Sequence, residues 1–129
     1  MKFKLWNEYG AMNSKPVFDA FKKSVSKAGH ELVDKVTDIK QADVHVIWSV
    51  LFHGRMSRNK DVWEACRKLN KPVIVLEVGG IKRGTTWKVG LNGINRDAYF
   101  GPKENDFQRA SKLGLNLKPW RNNGEYVLI

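Results

Sequence analysis

A chain of 129 residues, 42% hydrophobic and 28% charged, has the length of one domain and the composition of an ordinary globular protein, which argues against disorder. No apolar run approaches the roughly 20 residues needed to span a bilayer, and Trp6, Asn7 and Glu8 follow the basic start where a secretory signal would place its apolar core. A net charge of +10 raises the local concentration of polyanions, so nucleic acid, nucleotide phosphates and acidic polysaccharide all fit as partners, and solubility alone accounts for the charge equally.

The basic residues are scattered from Lys2 to Arg121 and form no tract resembling a nucleic-acid-binding arm. The lone cysteine, Cys66, has no disulfide partner and no metal-ligand companion, which suits a reducing cytoplasm. Its place in a helical pattern predicts a small buried residue.

Along the chain, Lys2 to Trp6 alternates polar and apolar residues and reads as a first strand. The polar loop from Asn7 to Lys15 ends in two candidate helix caps, Asn13 and Ser14, with Pro16 suited to the first turn. Val17, Phe18, Phe21, Val25 and Ala28 recur at helical spacing, and Gly29 is a natural stop. Glu31 to Val36 reads as a weaker strand, and Val44, Val46, Ile47 and Trp48 mark a buried one. After the loop from Ser49 to Arg58, Asn59 is placed to cap a helix reaching Leu69, with Val62 and Cys66 turned inward. Pro72 then opens the most apolar strand, Val73 to Leu76. A further helix is expected over Phe107 to Leu113, and Tyr126 to Ile129 reads as the start of another strand. That apolar end either pairs in the sheet or belongs to something longer.

This order predicts one α/β domain over residues 1–129, with a mainly parallel sheet and crossover helices. Ligands of such sheets lie beyond the carboxyl ends of the strands, which singles out three loops. The first holds Glu8 and Asn13 beside a helix N-terminus suited to an anion, although ordinary capping accounts for it equally. Neither the dinucleotide fingerprint G-x-G-x-x-G nor the phosphate loop G-x-x-x-x-G-K-[ST] occurs. The second loop holds His53, Arg55 and Arg58, a candidate base with two anion ligands, or simply surface residues. His30, His45 and His53 lack metal-ligand spacing, so no metal site is expected. The third loop carries Glu77, Gly79, Gly80, Arg83, Trp87, Asn92, Asn95 and Arg96. Glu77 is either a base or the partner of Lys82 or Arg83, Trp87 either stacks on a ligand or anchors the core, and the asparagines either bind or turn the chain.

The run Glu77-Val-Gly79…Arg83…Trp87…Gly90-Leu91-Asn92-Gly93…Ala98-Tyr-Phe100 resembles a segment of phage and bacterial glycosyltransferase-like proteins of the GT-B type. Leu117-Lys-Pro-Trp120-Arg…Gly124-Glu-Tyr-Val-Leu-Ile129 is similar to their passage toward a second domain, and Ala28-Gly29-His30-Glu31 resembles the end of the first helix in many GT-B amino-terminal halves. The resemblance implies an acceptor-side Rossmann-like half, the nucleotide-sugar donor being held chiefly by a second half that this sequence lacks.

On that resemblance Glu77, Arg83, Trp87, Asn92 and Asn95 are carried over as site residues. Glu77 and His53 would act on the acceptor hydroxyl and Arg55 and Arg83 on anionic groups, with Glu8 and Asn13 along the adjoining edge and Arg96 a further substrate-binding residue of the third loop. No covalently bound cofactor is implied. The expected partners are a sugar or polyanionic acceptor, DNA included, and a second GT-B half. The alternative expectation is a non-catalytic basic nucleic-acid-binding module; a small nucleotide-processing enzyme is a third, against which the missing phosphate fingerprint counts.

Overall fold

The computed structural model describes residues 1–99, 108–116, 118–120 and 122–124. Its strands are β1 (Lys2–Leu5), β2 (Glu31–Leu32), β3 (Val44–Trp48), β4 (Val73–Val78) and β5 (Trp87–Leu91). Its helices are α1 (Lys15–Lys27), α2 (Asn59–Lys68) and the single turn α3 (Arg109–Lys112). The five strands form one sheet in the order β2-β1-β3-β4-β5. All neighbours pair in parallel except β4 and β5, which are antiparallel. The architecture is therefore α/β with a mostly parallel sheet and a small helical share.

A parallel strand at the centre of a sheet has both faces covered and reads as a continuous apolar run. β3 fits this description, being buried at every position. Its alternate residues feed two cores on opposite faces. Val44, Val46 and Trp48 join Phe3, Leu5, Leu76 and the α1 residues Phe18 and Val25. Ile47 joins Val73, Val75, Ile94 and the α2 residues Val62 and Cys66. The apolar stripes of the two helices thus cover different faces, as the periodicity of each predicts. Burial pushes the Cys66 thiol up to about 11, consistent with a packing role.

Several expectations need correction. β2 stops at Leu32, where a strand to Val36 is predicted. Arg58, rather than Asn59, stands at the N-cap of α2, and Asn59 turns its side chain inward. Ser14 does cap α1, but its hydroxyl donates to the Ala11 carbonyl at 2.6 Å instead of accepting from the helix. β5 is an unforeseen strand, formed because the chain turns back after β4 through a hairpin around Gly79–Thr86. The expected strand over Tyr126 to Ile129 lies outside the described residues, as does Phe107. No helix among the described residues is long and apolar enough to cross a membrane.

Candidate functional site

The hairpin decides where the third loop goes. Trp87 pairs with Val78 at the carboxyl end of β4, and Leu91 with Ile74 near its amino end. Four residues of strand rise cover about 13 Å. Glu77, Arg83 and Trp87 therefore lie toward one edge of the sheet, and Asn92, Asn95 and Arg96 toward the other. The stretch expected to form one site is divided between two.

Several of its members also have structural duties. Glu77 is half-buried, and its Oε1 accepts from the backbone N–H of Val78 at 2.8 Å. Trp87 packs edge-on against Trp48, with ring centroids 6.0 Å apart, and belongs to the core. Asn92 exchanges two hydrogen bonds with Val73: its Oδ1 accepts from the Val73 N–H at 2.9 Å, and its own N–H donates to the Val73 carbonyl at 2.7 Å. Asn95 Oδ1 accepts from Lys88 Nζ at 3.0 Å. Both asparagines adopt positive φ, 57° and 56°, which their short polar side chains tolerate. Arg83 and Arg96 are exposed.

The first two loops do converge. The connection from β1 leads outward to β2, whereas that from β3 leads outward to β4, so the loops leaving β1 and β3 part over a crevice, the usual ligand position in open α/β sheets. Asn59 stitches its walls together. Its Nδ2 donates to the Trp48 carbonyl at 2.7 Å and the Tyr9 carbonyl at 3.2 Å. Backbone strain is concentrated here, since Ser49 and Phe52 take φ of 63° and 47° without being glycine. His53 is exposed, and its Nδ1 lies 3.1 Å from the Leu51 carbonyl. That contact assigns the proton to Nδ1 and leaves Nε2 as an acceptor.

Arg55 lines a 320 Å3 cavity with Asn7, Ser14 and Lys15. Anion binding there is blunted, because Lys15 Nζ is engaged by Asp19 at 2.7 Å. This pairing also holds the Asp19 carboxyl below its usual range. Glu8 accepts from Lys4 at 3.3 Å, and Asn13 is exposed. His45, at the floor of the first loop, is fully buried. Trp6 Nε1 donates to its Nδ1 at 3.1 Å, so Nε2 carries the proton toward the Ile39 carbonyl 2.9 Å away.

A second concave region went unforeseen. It lies on the α2 face, between α2 and the turn after β5. One cavity of 240 Å3 is lined by Trp63, Arg67, Lys71 and Asn92. A neighbouring one of 580 Å3 shares Trp63, Arg67 and Asn92 and adds Phe52, Arg96 and Asp97. Together they form a groove with three cations and one carboxylate. Lys71 Nζ donates to the backbone carbonyls of Ala42 and Lys40, at 2.6 and 3.3 Å, which fixes the ammonium without neutralising it. Among the described residues, no carboxylate pairs with Arg67, Lys71 or Arg96. The sequence does carry a signal for part of this groove: Trp63 and Arg67 are four apart on α2 and so share a face. Nothing local ties them to Arg96.

Among the described residues no cluster of His, Cys, Asp and Glu is arranged to hold a metal ion. No protein-family description, curated protein or solved structure matches the chain. The likeness to GT-B proteins therefore stands on the residues quoted for it alone.

Proposed function

We propose that this chain is a basic α/β domain that binds nucleic acid through the groove beside α2. The observation that carries the reading is the set of cations there, Arg67, Lys71 and Arg96, none in a salt bridge among the described residues and outnumbering the one carboxylate that lines the groove, Asp97, with Asp43 close enough to Lys71 to interact with it. Cations outside salt bridges displace counterions from a phosphate backbone, and each such contact steepens the dependence of affinity on salt. The overall charge of +10 adds long-range attraction.

A second reading, the acceptor half of a GT-B glycosyltransferase on a Rossmann-like three-layer frame, is favoured by His53. Its Nδ1 faces the Leu51 carbonyl, which leaves Nε2 free to take the proton of an acceptor hydroxyl beside the β1/β3 crevice. Glu77 suits that role less, because one carboxylate oxygen is occupied by the Val78 N–H. This reading calls for a nucleotide sugar and a second half.

Titration of the chain with a labelled oligonucleotide at several salt concentrations tests the first reading. With three phosphate contacts, affinity should fall roughly 20- to 40-fold between about 50 and 200 mM salt. The Arg67→Ala/Arg96→Ala double variant should bind more weakly and with a flatter slope. A salt-independent affinity, or none for the oligonucleotide alongside saturable binding of a uridine-diphosphate sugar, would overturn it in favour of the crevice.

A further inference from the structure

The groove contains more than charge. Trp63 is half-buried, packed against the core, and lines both cavities. The Arg67 guanidinium lies 5.7 Å from the Trp63 ring centre. Phe52 approaches the same indole at 6.3 Å between centroids. The Phe52 ring is held there by the left-handed turn after β3, φ 47° at Phe52 itself. A strained loop thus supplies one aromatic and a helix the other, with a planar cation one helical turn away.

Resting on the polyanion reading above, we propose that this groove takes single-stranded nucleic acid, a base stacking on Trp63 while Arg67, Arg96 and Lys71 hold the adjoining phosphates. A duplex keeps its base faces stacked inside, so an aromatic ring flanked by arginine adds nothing to duplex binding, whereas an unpaired base meets it directly. The larger cavity, 580 Å3, falls within the size range of small-ligand pockets and leaves room for a nucleotide unit. Asn92 adds a polar edge: Val73 occupies its Oδ1, which leaves the amide N–H groups on the cavity wall to meet a base carbonyl.

The end of α2 carries a partial negative charge that disfavours phosphate. Arg67 and Lys68 in its last turn more than offset this. Trp120 is the most exposed aromatic among the described residues, but it lines none of these cavities. A carbohydrate would also stack on Trp63, but it would leave the groove's net positive charge unmatched.

The test is fluorescence anisotropy of a labelled oligothymidylate and of a duplex of equal length, at fixed low salt. The wild-type chain, Trp63→Leu and Arg67→Ala are compared. The single strand should bind more tightly than the duplex. Trp63→Leu, which keeps apolar bulk under the groove, should weaken the single strand about tenfold and leave its salt slope unchanged. Arg67→Ala, an exposed change that spares the core, should weaken it and flatten the slope by about 0.7.

Equal affinity for both probes, or no single-strand loss in either variant while binding stays salt-dependent, would overturn the stacking proposal and leave the polyanion reading standing. Failure of both probes to bind at low salt would remove both.

Discussion

His45 shows how a residue with catalytic credentials becomes structural. It sits in a parallel strand where both faces are covered, and burial depresses its pKa below 6.5. The Ile39 carbonyl works against that shift, and the nearby Lys71 and Lys4 reinforce it. The folded chain therefore binds this proton less readily than the unfolded chain does. Stability linked to His45 is fully present above about pH 6.5 and is lost as pH falls toward the depressed folded value. In urea titrations between pH 7.5 and 5, the wild type should lose stability more steeply than His45→Gln. Parallel slopes would mean that His45 stays accessible to protons. Asn59 teaches the same lesson, since a polar residue at a helix start is legible as a cap, yet its bonds to Tyr9 and Trp48 require the fold around it.

At the level of elements, β5 is the strand that redirects the candidate site, and its packing is open to test. Gly90 lies against the turn that follows it. A Cβ there would run into the Gly93 carbonyl oxygen and press on the Ala98 Cβ at 2.9 Å. The first of these is backbone, and the Asn92 N–H to Val73 carbonyl bond anchors the neighbouring residue to the sheet, so it has little freedom to yield. Gly90→Ala should accordingly destabilise by about 1–3 kcal/mol, as overpacking does in tight interiors. Equilibrium urea unfolding measures this, and a loss below about 0.5 kcal/mol would contradict the close approach of β5 to residues 93–98.

β1, α1, β3, α2 and β4 were legible because each has a clean period or a continuous apolar run. β5 does alternate, through Trp87, Val89 and Leu91, but a lysine and a glycine lie between these residues and Val89 is exposed, so the signal is faint. Missing that one strand placed Glu77 and Asn92 in the same site. The groove was less legible still, since it joins α2 to a turn some 25 residues later.

Across the whole molecule, charge rather than any one contact sets the behaviour to be expected in solution. Lysine and arginine number 23 against 13 aspartate and glutamate residues, so the folded chain repels itself as it compacts. Salt has two opposed effects here: it screens that repulsion, and it weakens favourable ion pairs. The pairs among the described residues are all between side chains three or four apart, and three of the four join exposed groups, which contribute little. Screening of the repulsion should therefore win. Raising sodium chloride from about 20 to 300 mM is expected to stabilise the chain by roughly 1 kcal/mol, a rise of a few degrees in Tm. At low salt, where binding is tight, an added oligonucleotide should also raise Tm, because a ligand that binds only the folded state adds its own mass-action term. Differential scanning calorimetry at matched ionic strength separates the two contributions. A Tm that falls with sodium chloride would show that local ion pairs outweigh the net charge. An unchanged Tm on adding the oligonucleotide at low salt would show that the cations beside α2 do not form a binding surface.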